Sequence, residues 1–261
     1  MRSGYRFAVL AGKTLFRDLL DFIYPPFCGI CGSRLIGGEK NICRPCWQSL
    51  TVIQAPFCRR CGLPLDSTAS LCRVCRSRQR VFSFARSWGL FEERLQRIIH
   101  LLKYRQRKSL AGPLARMLTF IMEQDRRFDA MEAILPVPLH ARKARSRGYN
   151  QSGLIALGLA RRTGLPLLKN GLHRIRNTPS QSGLDLDRRA VNVQGAFRVR
   201  HPEMISGKRL ILVDDVLTTG ATVEACATAL LEADAGEVCV LTVARTPEPE
   251  ITPPGRGDTL K

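Results

Sequence analysis

The sequence predicts an α/β chain in which a parallel sheet with flanking helices follows a small cysteine-rich N-terminal domain. Three observations favour this organisation. Eight of the ten cysteines lie between Cys28 and Cys75, strand-like and helix-like patterns alternate after Arg80, and an apolar run enters a loop that begins a helix. Because parallel strands need helical crossovers, the alternation favours a parallel sheet. We therefore predict domains at 1–80 and 81–246, and a disordered tail at 247–261.

The charge of the chain is strongly unbalanced. Lys and Arg number 41 against 22 Asp and Glu, which gives a net charge of +19. A balance this basic favours a polyanionic partner, either nucleic acid or phosphorylated metabolites. The alternative is a solvated basic surface that keeps the protein soluble.

The N-terminal segment does not have the pattern of a signal peptide. Its apolar run is interrupted by Gly12, Lys13, Arg17 and Asp18, and no small-residue cleavage site follows. Apolar residues at Leu15, Leu19, Phe22 and Ile23 indicate a short amphipathic helix, for which we expect packing on the next domain rather than membrane binding. No apolar run has the length of a membrane span, so we expect a cytoplasmic protein.

The cysteines form four CxxC pairs. A CxxC turn lets two thiolates reach one metal ion, and two such turns complete a tetrahedral zinc site. Without a secretion signal, metal binding is favoured over disulfides. The predicted ligands of two structural zinc ions are Cys28, Cys31, Cys43, Cys46, Cys58, Cys61, Cys72 and Cys75.

The cysteine-rich segment repeats itself with a period of 30 residues. "PFCGICGSRL" begins at Pro26 and "PFCRRCGLPL" begins at Pro56, and each is followed by a second CxxC pair. The repeat favours two consecutive four-cysteine ribbons, although the spacing leaves an interleaved pairing open. The distant Cys226 and Cys239 lack ligand spacing and are predicted to be buried core thiols. Arginines lie among or just after the ligands, so the ribbons could face nucleic acid or form a stiff interaction module: Arg59, Arg60, Arg73, Arg76, Arg78 and Arg80.

The elements after Arg80 are predicted in order along the chain. Apolar spacing indicates two helices divided at Gly112 and Pro113. A buried strand at 133–140, a helix at 151–164 and a short strand at 165–168 follow. The stretch 170–194 is polar and long for a plain connection, which is typical of lids and binding segments. The final elements are a strand at 209–215, a helix at 222–236 and a strand at 237–246.

Asp214 and Asp215 end the predicted strand at 209–215. Ligands of parallel sheets bind at the carboxyl ends of strands, so both carboxylates are expected at the mouth of a site. The following loop, Leu217 to Thr222, offers backbone N–H groups, hydroxyls and the N-terminus of a helix, which together suit a phosphate. Two carboxylates would repel a bare phosphate. They suit a ligand that also carries sugar hydroxyls or Mg²⁺.

The segment "ILVDDVLTTGAT" resembles the 5-phosphoribosyl-1-pyrophosphate motif of type I phosphoribosyltransferases. This resemblance implies that Asp214 and Asp215 hold the ribose hydroxyls, while Thr218 to Thr222 cradle the 5′-phosphate. The implied binding residues are Asp214, Asp215, Val216, Leu217, Thr218, Thr219, Gly220, Ala221 and Thr222.

A wider resemblance covers nearly the whole chain. The order of "LLDFIYPPFCGICG", the CxxC pairs, "IIHLLKY", "PVPLHARKARSRGYNQS", "RNTPSQSGLDLDRRAVNVQGAF" and the ribose-phosphate motif is similar to the ComF family of competence and DNA-utilization proteins. The resemblance implies a double zinc ribbon ahead of a type I phosphoribosyltransferase-like sheet, and a role in taking up or using DNA. It also implies phosphoribosyl pyrophosphate with Mg²⁺ or single-stranded DNA as ligand, and DNA-uptake or helicase proteins as partners.

Two middle motifs supply further expected site residues. By position, "PVPLHARKARSRGYNQ" resembles the loop that meets pyrophosphate, with Arg147, Asn150 and Gln151 as the expected contacts; the alternative is a basic surface loop. The polar stretch resembles a flexible hood, and the alternative is a plain polar excursion. The expected hood residues are Arg176, Thr178, Gln181, Arg189 and Asn192. Lys103 and Tyr104 end a helix, where either a positioned role or simple surface placement is open.

The sequence departs from purine-salvage enzymes of this superfamily at two positions. Those enzymes often carry an acid where Thr218 stands and a lysine where Ala221 stands, and the acid can serve as a general base. Without it, no proton acceptor can be nominated. Two hypotheses follow: a binding module for phosphoribosyl pyrophosphate or single-stranded DNA, and a Mg²⁺-dependent phosphoribosyltransferase acting on an unidentified nucleobase or amine.

Overall fold

The computed structural model describes residues 25–176 and 195–247. The predicted N-terminal amphipathic helix and the predicted tail from Glu248 onward lie outside the described residues. Four of the predicted hood residues, namely Thr178, Gln181, Arg189 and Asn192, also lie outside them.

The cysteine-rich domain consists of two similar units, as the 30-residue repeat predicts. Each unit opens with an antiparallel bridge, Phe27 to Arg34 in the first and Phe57 to Pro64 in the second. Each then forms a short helix directly after its third cysteine, and the helices are α1 (Arg44–Gln48) and α2 (Arg73–Ser77). Gly32 and Gly62 occupy the same place in the two turns, with φ of 74° and 70°, a region that favours glycine.

Four parallel strands form the main sheet, which confirms the predicted fold class. The strands are β1 (Ala85–Leu90), β2 (Ala133–Pro136), β5 (Arg209–Leu217) and β6 (Glu237–Arg245), in the spatial order β1–β6–β5–β2. A separate antiparallel pair joins β3 (Leu172–Arg174) to β4 (Phe197–Val199). The predicted strand at 165–168 is wrong, because this segment contributes only a single bridge from Leu167 to Ile134. Pro166 lacks an N–H group, so a continuous ladder through it is disfavoured.

Helices cover both faces of the sheet. They are α3 (Glu93–Tyr104), α4 (Ala111–Gln124), α5 (Ala141–Arg147), α6 (Gln151–Thr163) and α7 (Ala221–Leu231). The predicted pair of helices is confirmed, although Gly112 and Pro113 lie in the first turn of α4 instead of between the helices. Pro is tolerated there because the first turn needs no N–H donor. No helix among the described residues is long and apolar enough to cross a membrane.

Alternate residues of β5 enter two separate hydrophobic clusters. Ile211 and Val213 join the cluster that contains α3, α4 and α6, whereas Leu210 and Leu212 join the cluster that contains α7. This is the two-residue period of a strand buried on both faces. The first four-cysteine unit packs into the former cluster and the second unit into the latter. The cysteine-rich domain therefore shares its core with the sheet domain.

Strand β1 lies at one side of the sheet and is absent from the elements that the sequence predicts. Its segment contains Arg86 and Ser87, both buried. Arg86 Nε donates to Asp125 at 3.0 Å, and the hydroxyls of Ser87 and Thr242 lie 2.6 Å apart. The outer side of β1 pairs with the linker between the cysteine units, where Ile53 N–H donates to the Trp88 carbonyl at 3.0 Å.

Candidate functional site

Two groups of four cysteine sulfurs form the candidate metal centres. Within each group all sulfurs lie within 4.8 Å of one another, and the groups follow the consecutive pairing that the repeat predicts. A tetrahedral zinc site with metal–sulfur bonds of about 2.3 Å has sulfurs about 3.8 Å apart. The distances of 3.7 Å between Cys31 and Cys43, and between Cys61 and Cys72, match this value. Both groups therefore fit structural zinc, and the interleaved pairing is excluded.

Backbone N–H groups orient the sulfurs in both groups. Ile30 and Cys43 each donate to Cys28 Sγ at 3.4 Å, and Cys61 donates to Cys58 Sγ at 3.5 Å. Such donors stabilise thiolate ligands around a metal ion. Only Cys31 is exposed among the eight, so the second group lies wholly inside the protein.

The two adjacent carboxylates lie near the carboxyl end of β5 and have different partners. Asp214 Oδ1 accepts from Ser152 Oγ at 2.8 Å and from the backbone N–H of Asp215 at 2.9 Å. Asp215 is 4% exposed, and its Oδ1 lies 2.8 Å from Lys103 Nζ. Its other oxygen, Oδ2, is buried and has no hydrogen-bond partner within 25–176 and 195–247. A buried carboxylate oxygen without a partner is suited to accept a hydrogen bond from a ligand hydroxyl or to contact a cation.

Burial and the adjacent negative charge favour the protonated form of Asp214. Burial, together with the neighbouring Asp215 charge, raises the pKa of Asp214 to about 7. Burial by itself lowers the pKa of Lys103, but the adjacent Asp215 outweighs it and raises this pKa above its ordinary value. The site therefore contains a charged ammonium paired with Asp215, next to a second carboxyl group, Asp214, whose pKa lies near neutrality.

The loop after the acid pair leads into the N-terminus of α7. Gly220 adopts φ of 93°, and a Cβ atom there would lie 3.1 Å from Arg80 Nη1. The loop carbonyls face two buried arginines that do not line the cleft. Arg80 Nη1 donates to the Thr219 carbonyl at 3.1 Å, and Arg245 Nη1 donates to the carbonyls of Leu217, at 3.0 Å, and Thr218. The carbonyl oxygens of the loop, which would repel an anion, thus face these arginines and not the cleft.

A cleft of about 210 Å³ brings the acid pair and the loop together. From the expected site residues, the following line it: Gln151, Asp214, Asp215, Val216, Leu217, Thr218, Gly220 and Thr222. Thr219 and Ala221 belong to the loop without lining the cleft, and Thr219 Oγ1 accepts from the Ala221 N–H at 3.3 Å. The volume is below the range of about 300–1,000 Å³ for drug-sized ligands, so the cleft suits a small polar ligand.

The residues expected at the pyrophosphate loop occupy different positions. Arg147 donates to the Gln151 side chain and lies over the Tyr104 ring, 4.9 Å from its centre. Asn150 caps α6 through Ser152 N–H and donates to the Val137 carbonyl at 2.9 Å, so its contacts within the described residues are structural. Arg176, which was expected in the hood, is the one hood residue within 25–176 and 195–247; it is exposed beyond the end of β3 and does not line the cleft.

Three polar residues of the cleft, Lys103, Ser152 and Arg174, are additional to the expected ligand contacts. For Lys103 the sequence leaves a positioned role and a surface role open, and the ion pair with Asp215 decides for the former. Ser152 follows Gln151 directly in the motif "YNQS", and this local pattern could have identified it. No local pattern distinguishes Arg174, which lines the cleft, from Arg176, which does not.

The chain matches two protein families in sequence. Residues 19–76 match the double zinc ribbon domain, and residues 132–254 match the phosphoribosyl transferase domain. The DNA utilization protein YhgH of Salmonella typhi is 31% identical over 225 residues, which cover 85% of this chain and 98% of the relative. The chain belongs to the ComF family. Its ComF-type organisation, a double zinc ribbon followed by a phosphoribosyltransferase domain, agrees with the architecture above.

Other ComF relatives extend the comparison. Competence protein F of Haemophilus influenzae is 29% identical over 84% of this chain and 96% of its own length. Competence protein ComFC of Bacillus subtilis is 26% identical over 76% of this chain and 81% of its own length. Among solved structures, the allosteric regulatory enzyme of purine biosynthesis aligns with 52% of this chain and 25% of its own, at 25% identity and a TM-score of 0.34. That TM-score is too low to support any argument.

Proposed function

We propose that the cleft binds phosphoribosyl pyrophosphate together with Mg²⁺. The observation that carries the proposal is the placement of Asp214 and Asp215 beside the loop 217–222 in a single small cleft. The carboxylates would accept the hydrogen bonds of the ribose hydroxyls, and the unpartnered Asp215 Oδ2 is available for one of them. The loop and the N-terminus of α7 would hold the 5′-phosphate.

Other residues in and beside the cleft would supply cationic and amide groups for the pyrophosphate. Gln151 and Arg174 line the cleft, and Arg147 lies beside Gln151. Arginine suits phosphate because its planar donors can form two parallel hydrogen bonds. When bound, Mg²⁺ would neutralise the pyrophosphate charge, and the acid pair would hold the ion directly or through water.

The cellular role that we propose is DNA uptake or utilization; the relatives are named a DNA utilization protein and a competence protein. The charge of +19 and the exposed arginines of the second ribbon support single-stranded DNA as a further ligand. Arg59, Arg73, Arg76 and Arg78 are exposed, whereas Arg60 donates to the carbonyls of Arg80 and Phe82 and is half-buried. Four of the six ribbon arginines are therefore placed to meet a phosphate backbone.

Calorimetric titration of phosphoribosyl pyrophosphate tests the first ligand. With Mg²⁺ present we expect saturable binding to the wild type and at least tenfold weaker binding to Asp214→Asn and Asp215→Asn. Asp129→Asn, which removes an exposed carboxylate beyond the cleft, serves as the charge-matched control and should bind normally. Equal binding by all four proteins would remove the acid pair from the ligand site.

Fluorescence anisotropy with a labelled single-stranded oligonucleotide tests the second ligand. Arg73→Gln/Arg76→Gln should weaken binding and flatten its salt dependence, by about 0.7 in slope for each arginine–phosphate pair that the substitutions remove. Arg94→Gln/Arg97→Gln removes the same charge from exposed positions of α3 and should have a smaller effect. A salt-independent affinity, or equal weakening in both double variants, would contradict a ribbon interface for DNA.

Phosphoribosyl transfer to a nucleobase or amine is the alternative function. The position at which purine-salvage enzymes carry an acid is occupied by Thr218, which lines the cleft. Pyrophosphate release from phosphoribosyl pyrophosphate, measured with candidate nucleobases and amines, distinguishes a transferase from a binding module. Release above the rate of the acceptor-free reaction, abolished in Asp215→Asn, would favour the transferase.

A further inference from the structure

Arg245 connects the second cysteine group to the loop of the candidate site. It ends β6, and its Nη1 donates to the carbonyls of Leu217 and Thr218. Its Nη2 lies 4.0 Å from Cys61 Sγ, so one guanidinium spans the two features. Arg245 is 6% exposed, and no carboxylate within 25–176 and 195–247 forms an ion pair with it. A buried arginine requires a counter-charge from elsewhere.

Arg80 makes a second connection of the same kind. Its Nη1 donates to the Thr219 carbonyl at 3.1 Å and to Glu224 Oε1 at 2.7 Å. Cys75 of the second cysteine group is an electrostatic neighbour of the same guanidinium. Arg80 is 7% exposed. Three consecutive loop carbonyls, from Leu217 to Thr219, are therefore held by two arginines, of which Arg245 contacts a sulfur of the second cysteine group and Arg80 lies near another.

The chemistry of a zinc-thiolate centre explains this arrangement. Four thiolates on one Zn²⁺ carry a net charge of −2, which is the counter-charge that Arg245 lacks among the carboxylates. A guanidinium presents five N–H donors in a rigid plane, so it can bond thiolates along one edge and carbonyls along another. Each hydrogen bond to a carbonyl fixes the orientation of a peptide unit. The conformation of the loop would therefore depend on the positions of the arginines, and these on the metal centre.

Within 25–176 and 195–247 the first cysteine group makes no contact of this kind with an arginine that holds the loop. It packs beside α3, where a Cβ atom on Gly29 would lie 2.5 Å from Leu101 Cδ1. Among the described residues, its sulfur hydrogen bonds are to its own unit. The two cysteine groups are thus similar in sequence, but only the second is linked by arginines to the loop 217–222.

We propose that Arg80 and Arg245 are positioning residues through which the second zinc centre, and not the first, fixes the conformation of the loop 217–222. The loop is then ordered for its ligand only when the second centre is loaded. The assignment of this loop to phosphate rests on the proposed function, but the structural link does not. By thermodynamic linkage, a ligand that orders the loop must also tighten zinc in the second centre.

Hydrogen exchange of the full-length, zinc-loaded protein tests the link. We expect backbone amides of 217–222 to exchange at least tenfold faster in Arg245→Gln and Arg80→Gln than in the wild type. Arg78→Gln is the matched control, because Arg78 Nη2 also pairs with Glu224, at 2.8 Å, but its side chain is 58% exposed. In Arg78→Gln the backbone amides of 217–222 should exchange at the wild-type rate. Unchanged protection in Arg245→Gln would overturn the proposal.

A second pair of variants tests the same link through the metal. Cys61→Ser removes a ligand of the second centre and should accelerate exchange of 217–222, whereas Cys31→Ser in the first centre should not. Exchange in α6 reports whether the sheet domain stays folded. Equal acceleration in both variants would indicate general destabilisation and would also overturn the proposal.

Ribose 5-phosphate separates this link from the proposed function. At saturation it should slow the release of one zinc equivalent to a chelator by several-fold and leave the other unchanged. If the exchange experiments succeed and ribose 5-phosphate has no effect on zinc release, the link stands and the phosphate ligand of the loop is refuted. If exchange is unaffected while the sugar phosphate still binds, the link is refuted and the ligand stands.

Discussion

The ammonium of Lys103 lies 2.8 Å from Oδ1 of Asp215, so the last turn of α3 provides the cation that neutralises one of two adjacent carboxylates. The Lys103 side chain is 22% exposed and that of Asp215 only 5%. Because a buried carboxylate without a partner is unfavourable, this ion pair is a condition for placing two acids side by side. It also joins a helix of the sheet domain to the end of β5, which is distant along the chain.

Replacing Lys103 with Met should destabilise the protein. The change leaves Asp215 buried without its cation, and we expect the free energy of unfolding to fall by about 3 kcal/mol. Urea denaturation followed by circular dichroism measures this decrease. Arg97→Gln is the control, since it removes an exposed cation of the same helix, 3.8 Å from Glu93, and should cost less than about 0.5 kcal/mol. Equal decreases in the two variants would contradict a structural role for the Lys103 pair.

Replacing Asp214 with Asn should stabilise the ligand-free protein at high pH. Burial and Asp215 raise the pKa of Asp214 from 3.8 to about 7, so the folded state binds this proton more tightly than the unfolded state. The stability contributed by this group is complete below about pH 4 and is lost as the pH rises to about 7. Asn stays neutral, so the variant should exceed the wild type by about 1–3 kcal/mol at about pH 8.

The pH dependence of that difference is the decisive measurement. Urea unfolding at about pH 4, 6 and 8 should show the two proteins converging at the lowest pH. Asp129→Asn, at an exposed carboxylate, should show no such trend. A constant difference between Asp214→Asn and wild type across this range would mean that Asp214 titrates normally.

Equivalent glycines of the two ribbons should respond differently to substitution. Gly32 and Gly62 share a positive φ, so alanine at either position should cost about 1–2 kcal/mol of backbone strain. A Cβ atom at Gly62 would also lie 2.8 Å from the Ala85 carbonyl oxygen, whereas at Gly32 it would meet nothing within 4 Å. We expect Gly62→Ala to cost about 1–3 kcal/mol more than Gly32→Ala in urea denaturation. Equal costs would show that the second ribbon does not pack tightly on β1.

Zinc analysis tests the two metal centres directly. We expect two zinc ions per chain by mass spectrometry of the purified protein, and one in Cys31→Ser. Chelation should remove hydrogen-exchange protection from the ribbons, because small four-cysteine units fold only with their metal. The core strands β5 and β6, most of whose residues are buried, should keep their protection. A metal-free protein with fully protected ribbons would contradict structural zinc.

Local sequence patterns were enough to predict the features whose residues lie close together along the chain. The acid pair, the loop and α7 are contiguous, and the CxxC pairs lie within one short segment, so their spacing predicted the clusters and placed the acid pair near the carboxyl end of β5. The strand itself continues two residues beyond the predicted end, to Leu217. The hydrogen bond between Ser152 and Asp214 joins residues 62 positions apart, and nothing in either local pattern reveals that partnership. Asn150 was expected at the ligand because its motif resembles, by position, the loop that meets pyrophosphate, yet its side chain caps a helix and bonds the Val137 carbonyl.

The fold was harder to predict where polar residues are buried by distant partners. In β1, Arg86 and Ser87 interrupt the apolar run that identifies a buried strand, and their partners Asp125 and Thr242 lie far along the chain. The ribbon arginines show the same limit. Their spacing does not distinguish the exposed Arg73 and Arg76 from the buried Arg80, because that difference arises from contacts with Thr219 and Glu224.

The linker that pairs with the outer side of β1 has a consequence for the solubility of the protein. A strand at the margin of a sheet exposes unpaired N–H and C=O groups, which invite pairing with another molecule and aggregation. Here Thr51 and Ile53 bond to Leu90 and Trp88 and occupy those groups. Both residues belong to the linker that joins the two ribbons, so we expect that unfolding of the ribbons on metal loss would expose β1 to intermolecular pairing. Structural zinc would then limit self-association as well as hold the ribbons together.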